Sequence, residues 1–135
     1  EEFSLAEKLF VKFIVSEDIE TQSNGMQQRQ VLINPLINLR TKYIPTSLSL
    51  GVTIILAGLK PTSDYVFDVV IRHKQSNQSI FATGPTPGVV PPDADNFLIN
   101  INLKNVDIEN EGEYEISINV AGDTYSDSFF ILKRI

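Results

Sequence analysis

The stretch of sequence that decides the fold is NEGEYEISINV, residues 110–120 of a chain of 135 residues. From Tyr114 to Val120, apolar side chains alternate with polar ones. A period of two places the first set on a buried face of a β-strand and the second set in water. Gly112 ends a turn just before this strand, and Tyr114 opens it. This order is typical of a tyrosine corner, in which a buried phenol closes one end of a β-sandwich.

The same alternation recurs along most of the chain and predicts about eight strands. A clean inward row predicts a central strand over residues 48–57, and Pro35 makes residues 30–39 an edge strand or a broken one, because proline lacks a ladder donor. The last strand is apolar in both registers, so its buried face stays open. The only helical candidate is residues 4–9. Many short strands without long helices predict an all-β, antiparallel β-sandwich, in one domain spanning residues 1–135.

Two segments read as irregular connections. Residues 17–30 are polar, contain a turn signal at Ser23-Asn24-Gly25, and are predicted to form a long loop. Residues 84–95 hold four prolines and two glycines. Such a composition forbids ladder hydrogen bonds and regular helix, so this segment is predicted to cross irregularly between the two sheets.

Composition excludes several classes of function. The formal net charge is −6, and residues 75–132 hold nine acids against one base, Lys104. This half of the chain would repel a phosphate backbone, so neither nucleic acid nor an anionic membrane surface is an expected partner. No apolar run approaches the roughly 20 residues of a membrane span. The chain lacks cysteine, which is compatible with any compartment. It shows no basic-then-apolar signal at its start, which favours a cytoplasmic location.

The sequence offers little catalytic chemistry. His73 is the single histidine and lies in phase with the inward side chains of its strand, near the strand end. Catalysis would require a nucleophile or carboxylate partner within reach, and no nucleophile motif occurs. We therefore predict a non-enzyme in which His73 lies at the rim of the core, with no catalytic, cofactor-binding or metal-binding residue and no cofactor.

Acidic loops provide the alternative function, a ligand-binding domain for calcium or carbohydrate. The acids are Asp93 and Asp95 in the Pro-rich segment and Asp107, Glu109 and Glu111 before the corner. Oxygen-rich loops at one end of a sandwich can hold calcium, and a glycosidase carboxylate pair could be drawn from the same residues. The solvated acidic rim is the competing interpretation. Carbohydrate binding would be favoured by aromatic side chains on loops, of which Tyr43 is the one candidate. Asn77-Gln78-Ser79 also forms a glycosylation sequon on a predicted hairpin.

Outward apolar residues support the leading hypothesis. Phe10 and Ile14 on the first strand, and Val66 and Val70 on a later one, are surplus to a wet face. They form either a partner surface or a patch covered by residues 17–30. We favour a non-enzymatic protein-binding or structural module with a protein partner. The strand interrupted by Pro35 could leave a pairing edge, so a homodimer is also open.

Three resemblances accompany these patterns. Residues 110–114 resemble the Asp-x-Gly-x-Tyr corner of immunoglobulin-like domains, with asparagine for aspartate, and the family's usual cysteine falls at Ile116. Residues 59–65 look like the Leu-x-Pro-x-x-x-Tyr corner of fibronectin type III domains, although 70 residues follow it here. Over most of its length, the chain is similar to uncharacterised bacterial single-domain β-sandwich proteins. The cues are Ala6-Glu7-Lys8, Ile44-Pro45 and the run from Asn105-Val106 through the corner to a Phe-rich last strand. The resemblance implies an immunoglobulin-like fold and no particular activity.

Overall fold

A computed structural model describes residues 8–135, and this part of the chain contains ten β-strands and no helix. The strands are β1 (Phe10–Asn24), β2 (Gln27–Leu36), β3 (Asn38–Thr41), β4 (Thr46–Ala57), β5 (Asp64–His73), β6 (Ser79–Ala82), β7 (Thr86–Val89), β8 (Phe97–Ile108), β9 (Gly112–Val120) and β10 (Asp123–Lys133). Within these residues there is accordingly no helix that could cross a membrane. The predicted helical candidate, residues 4–9, and the cue Ala6-Glu7 lie outside the described residues except for Lys8 and Leu9, which lead into β1.

The strands form two sheets. The first sheet has the order β2-β1-β4-β8, and the second has the order β3-β10-β9-β5-β6, with β7 pairing residues 64–67 of β5. All pairs are antiparallel except β3 and β10, which run parallel. The chain crosses from the first sheet to the second at Ile37, between β2 and β3. The predicted all-β sandwich is confirmed, with ten strands instead of about eight because β3 and β7 contain only four residues each.

The core lies between the inner faces of the two sheets. As predicted, β4 is central, paired on one side with β1 and on the other with β8. The open question of the last strand is settled: Phe129 and Ile131 of β10 are fully buried, whereas Phe130 and Leu132 lie on the outer face and are half-buried. The largest fully buried side chains are those of Ile54, Leu56, Ile71, Ile108, Tyr114, Ile116, Ile118, Phe129 and Ile131.

The predicted loop over residues 17–30 is wrong. This segment is the outer half of a long hairpin, in which β1 and β2 pair without interruption from Asp18↔Ile33 to Asn24↔Gln27. Gly25, with φ +66°, starts its two-residue turn, and glycine adopts this left-handed conformation without steric cost. Residues 20–30 are exposed on both faces. Because neither face is buried here, the strand pairing carries no hydrophobic alternation that a sequence pattern could reveal.

The Pro-rich segment is irregular only in part. β7 lies inside it and pairs with β5, with Pro87 opposite Val66. The prediction that prolines forbid strand pairing here is therefore wrong for these four residues. Proline is tolerated because β7 is an edge strand whose one partner is β5.

Candidate functional site

His73 lies at the end of β5 and has hydrogen bonds on both ring nitrogens. Its Nε2 lies 2.9 Å from the carbonyl oxygen of Glu111, and its Nδ1 accepts the backbone N–H of Ser76 at 3.1 Å. The Ser76 hydroxyl lies 2.7 Å from the same Nδ1. A carbonyl can only accept and a backbone N–H can only donate, so the proton of the neutral ring is on Nε2. Both nitrogens of His73 are thus used to join the β5–β6 turn to the corner.

The corner itself is built from β9 and the turn before it. Tyr114 is 1% exposed, and its hydroxyl donates to the carbonyl oxygen of Asn110. Its ring lies edge-on to His73, with 5.1 Å between centroids. Burial raises the pKa of the Tyr114 phenol above its ordinary value. Gly112, at φ +128°, admits the imidazole: a Cβ there would lie 3.2 Å from His73 Nε2. His73 is therefore part of the tyrosine corner.

The second predicted corner, at Tyr65, contains a similar hydrogen bond between a tyrosine hydroxyl and the backbone upstream of it. The hydroxyl of Tyr65 accepts the backbone N–H of Lys60 at 2.9 Å. Each tyrosine thus fixes the segment that enters its own strand. The connection before β5 is held in the same way as the connection before β9, by a phenol bonded to backbone a few residues upstream.

The acidic loops lie at opposite ends of the first sheet. Asp93 and Asp95 precede β8, whereas Glu109 and Glu111 follow it, and twelve extended residues span roughly 35 Å. Glu111 is also engaged in the fold, because its carboxylate accepts the backbone N–H of Lys133 at 2.9 Å. Among residues 8–135, no three carboxylates or histidines are grouped as metal ligands would be. The two loops cannot cooperate in one calcium site.

The remaining loop candidates are on the surface. Tyr43 is exposed, and the Lys42 ammonium lies 5.5 Å from its ring centroid. Asn77 of the sequon occupies the predicted hairpin turn with φ +62°, and its side-chain oxygen accepts from Arg72. Arg72 also pairs with Glu115 at 2.8 Å. The asparagine side chain thus has a structural partner within the turn.

Of the outward apolar residues, Phe10 is 47% exposed and Val66 57%, whereas Ile14 and Val70 are half-buried. The hairpin formed by residues 17–30 extends away from Phe10, since β1 runs from Phe10 towards Asn24. Ile19 is the one buried residue of this segment. Ile19 Cγ1 lies 2.5 Å from the position that a Cβ on Gly51 would take. Cover by this segment is therefore local to Gly51.

One lateral side of the sandwich is open. On this side, β2 pairs with β1 only from Val15 onward, and β3 pairs with β10 only from Phe130 onward. The first residues of β1 and residues 123–129 of β10 consequently present strand edges without a strand partner in the described part of the chain. The crossover at Ile37, which is 68% exposed, bounds this opening at the end where β2 passes into β3.

A groove of about 560 Å³ enters the core between these two edges. Eight of its eleven lining residues are apolar and three are polar, and its exposed surface is divided about evenly between polar and apolar atoms. The residues are Phe13, Ile14, Val15, Pro35, Leu36, Ile37, Asn38, Ile116, Asp127, Ser128 and Phe129. Clefts of 300–1,000 Å³ that combine apolar walls with a few polar groups are the usual form of a binding site.

Asp127 is the one charged residue in this lining. It pairs with the buried Ile116 and shares the inward face of β10 with Phe129. Its carboxylate accepts the backbone N–H of Ser128 at 2.8 Å. The Ser128 hydroxyl in turn donates to Glu113 at 2.7 Å, and this bond, followed by that from Lys74, lowers the pKa of Glu113. An acid on the inward face at an open edge is the most unusual feature of the groove.

The sequence pattern did not single out Asp127, the groove or its crossover. The signal was present in the row Tyr125, Asp127, Phe129 and Ile131, where one acid interrupts an apolar set of period two. It could be recognised only after the register of β10 was known, and Phe130 and Leu132 made the opposite register equally apolar.

The two packed sheets and the buried tyrosine corner define an immunoglobulin-like β-sandwich. Among solved structures, the chain is similar at 11% identity to an immunoglobulin-like protein of Pseudomonas aeruginosa, covering 95% of this chain and 99% of that one with a TM-score of 0.45. At 10% identity it is similar to a CARDB domain of Pyrococcus furiosus, solved in complex with di-metal ions. This match covers 93% of this chain and 96% of that one, with a TM-score of 0.43.

A third similar structure is the alkylpurine DNA glycosylase AlkC of Pseudomonas fluorescens bound to DNA containing an abasic site analog. The identity is 11% and the TM-score 0.47, over 89% of this chain. The chain spans 30% of the length of that glycosylase. No protein-family model and no curated protein matches the chain.

Proposed function

We propose that this protein is a non-enzymatic protein-binding module that takes an extended segment of its partner into the groove between β1 and β10. The observation that carries the proposal is the coincidence of two features on one side of the sandwich. Unpartnered strand edges lie there beside a cleft of about 560 Å³ that reaches the core residues Ile116 and Phe129. An edge alone or a cleft alone would be a weaker indication.

The orientation of the β10 edge supports strand addition. The Phe130 N–H donates to the Ile37 carbonyl at 2.8 Å, away from β9. Backbone groups of an antiparallel strand alternate in direction, so the N–H groups of Ser128 and Ser126 point to the same open side. A segment lying there would continue the pairing that β3 begins. Main-chain hydrogen bonds would supply affinity and the cleft would select side chains, as in other β-strand additions.

The other sites support chemistry less well. Both ring nitrogens of His73 are hydrogen-bonded within the corner. The acidic loops are separated by the length of β8. General acid–base catalysis needs a group that can reach a substrate proton, which neither arrangement provides. The binding module is therefore the function that the described geometry favours over an enzyme or a calcium-dependent domain.

Selection of random displayed peptides tests the proposal. Peptides are selected on the wild-type protein and then tested against Asn38→Trp, which places an indole at the mouth of the groove. The control is Asn102→Trp, because Asn102 is exposed on β8, an edge strand of the first sheet. We expect binders that lose affinity for the first variant and keep it for the second. Failure to recover any peptide sensitive to Asn38→Trp would overturn the proposed function.

A further inference from the structure

We infer that the occupant of this groove is an extended segment with a lysine or arginine at its centre and an apolar residue two positions away on each side. Asp127 is the group that recognises this cation, by forming an ion pair with it. The inference rests on the proposed function and adds the chemistry of the partner. It is argued from the direction, the neighbours and the hydrogen bonding of Asp127.

The first step is the placement of the charge. Tyr125, Asp127 and Phe129 occupy successive inward positions of β10, and side chains on one face of a strand repeat about every 6.8 Å. A strand added beside β10 presents its own inward side chains at the same interval. The pattern that complements this row has a cation near Asp127 and apolar side chains before and after it, in contact with the apolar lining of the groove.

The second step is the electrostatic state of Asp127. Ion pairs in the described part of the chain join Arg72 to Glu115, Lys74 to Glu113 and Lys104 to Asp18, and none of them uses Asp127. The bond from the Ser128 N–H occupies one of the roughly four lone-pair sites of the carboxylate. Asp127 is exposed, so capacity remains for a charge-assisted bond. A ligand that covers the groove and excludes water would strengthen such a bond.

The third step is the exchange that binding would bring about. In the empty groove, the Asp127 carboxylate occupies the Ser128 N–H, one of the donors that an incoming strand would need. Inward-pointing charges of this kind protect edges from unwanted pairing. A strand with a cation can offer a carbonyl to the Ser128 N–H and its ammonium to the released carboxylate. A strand with an apolar or acidic residue at that position leaves the carboxylate without a compensating charge. Asp127 therefore both protects the edge from unspecific pairing and selects partners that carry a cation.

The test uses the synthetic peptide Val-Ser-Val-Ser-Lys-Ser-Val-Ser-Val and its analogues with Gln or Glu in place of Lys, titrated by calorimetry. We expect the Lys peptide to bind the wild-type protein about tenfold or more tightly than the Gln peptide, and the Glu peptide to bind least. In Asp127→Asn, the preference for Lys over Gln should disappear. In Asp127→Lys, the order of the Lys and Glu peptides should reverse. Asp107→Asn, which removes an equal charge from an exposed position of β8 in the other sheet, should keep the wild-type order.

The outcomes separate this inference from the function on which it rests. If selected peptides bind at the groove but the Lys, Gln and Glu analogues do not differ, the chemistry assigned to the partner is wrong and the binding function stands. If Asp127→Asn self-associates in sedimentation while the wild-type protein shows no preference among the Lys, Gln and Glu peptides, Asp127 only guards the edge and the inference is overturned. Thermal melting of each variant identifies loss of fold. If Asp127→Asn or Asp127→Lys unfolds the protein, Asp127→Glu keeps the inference testable, because it should retain the preference for the Lys peptide.

Discussion

At the scale of single residues, the tyrosine corner was predictable and its histidine was not. Asn110, Gly112 and Tyr114 are close in sequence, so their spacing alone indicates the hydroxyl-to-backbone bond that the structure contains. His73 joins the corner from β5, and its partner Glu111 lies 38 positions away along the chain. The pattern placed His73 correctly at the rim of the core. Its contacts depend on which strands pair, and this information is not local.

Replacing Tyr114 with phenylalanine tests the corner bond. The change removes the hydroxyl and leaves the Asn110 carbonyl without this donor, so we expect the free energy of unfolding to fall by about 1 kcal/mol. Urea denaturation monitored by circular dichroism measures it. Tyr125→Phe, on the same inward face but half-buried, is the control and should cost less. An unchanged midpoint for Tyr114→Phe would refute the corner.

The raised pKa of Tyr114 predicts how this difference depends on pH. Above the ordinary phenol pKa of about 10, the unfolded chain releases this proton before the folded chain does. The unfolded state then binds fewer protons, so stability falls as pH rises through this range. Tyr114→Phe lacks the titrating group. The other tyrosines contribute equally to the pH dependence of stability in both proteins, so their contribution cancels in the comparison. The stability gap between the two proteins should therefore narrow from pH 9 to pH 11; a gap that widens would contradict the assigned burial.

His73→Ala should destabilise the protein without abolishing peptide binding. The substitution leaves the Glu111 carbonyl and the Ser76 N–H without their ring partners, and each loss of this kind costs about 1–3 kcal/mol when buried. Ser76→Ala, which removes the hydroxyl contacts with His73 Nδ1 and with the Gln78 N–H but keeps the Ser76 N–H, should cost less. Loss of groove binding in a folded His73→Ala protein would place the histidine in the binding site and contradict its structural role.

At the scale of elements, alternation predicted the strands whose two faces differ in environment. β8 and β9 each have one buried and one wetter face, and their inward residues follow the predicted rows. In β4 both faces are buried from Leu50 to Ile54, and the alternation there is between large aliphatic side chains and the smaller Gly51 and Thr53. The pattern failed where this contrast is missing. The outer halves of β1 and β2 are wet on both faces, and β10 carries apolar residues on both.

Shortening the β1–β2 hairpin tests whether its outer half is independent of the core. Residues 21–30 can be replaced by Asn-Gly, which joins the paired residues Glu20 and Val31 through a two-residue turn. The removed residues are exposed on both faces and an isolated two-stranded ribbon is marginally stable, so the free energy of unfolding should change by less than about 1 kcal/mol. Chemical denaturation gives the value. A loss several times larger would show that the hairpin supports the sandwich.

At the scale of the whole molecule, the sequence predicted two packed sheets and could not predict which edges remain open. The open side exists because β2 begins to pair with β1 at Val15 and β3 begins to pair with β10 at Phe130. Both limits follow from where the chain crosses at Ile37, a position set by long-range packing. The groove and Asp127 on its inward face arise from this crossover. The sequence analysis drew its candidate residues from the acidic loops, the single histidine and the glycosylation sequon, so it did not include the groove residues.

The central claim is that a partner strand adds to β10 at this open side, and residue-resolved amide hydrogen exchange tests it most directly. Exchange is measured by NMR on the wild-type protein with and without the Lys-centred peptide at a saturating concentration. The account predicts slower exchange at Ser126 and Ser128, whose N–H groups point to the opening, and unchanged exchange at Asn100 and Asn102 on the β8 edge. Protection confined to β8, or peptide binding that leaves Ser126 and Ser128 unprotected, would contradict it.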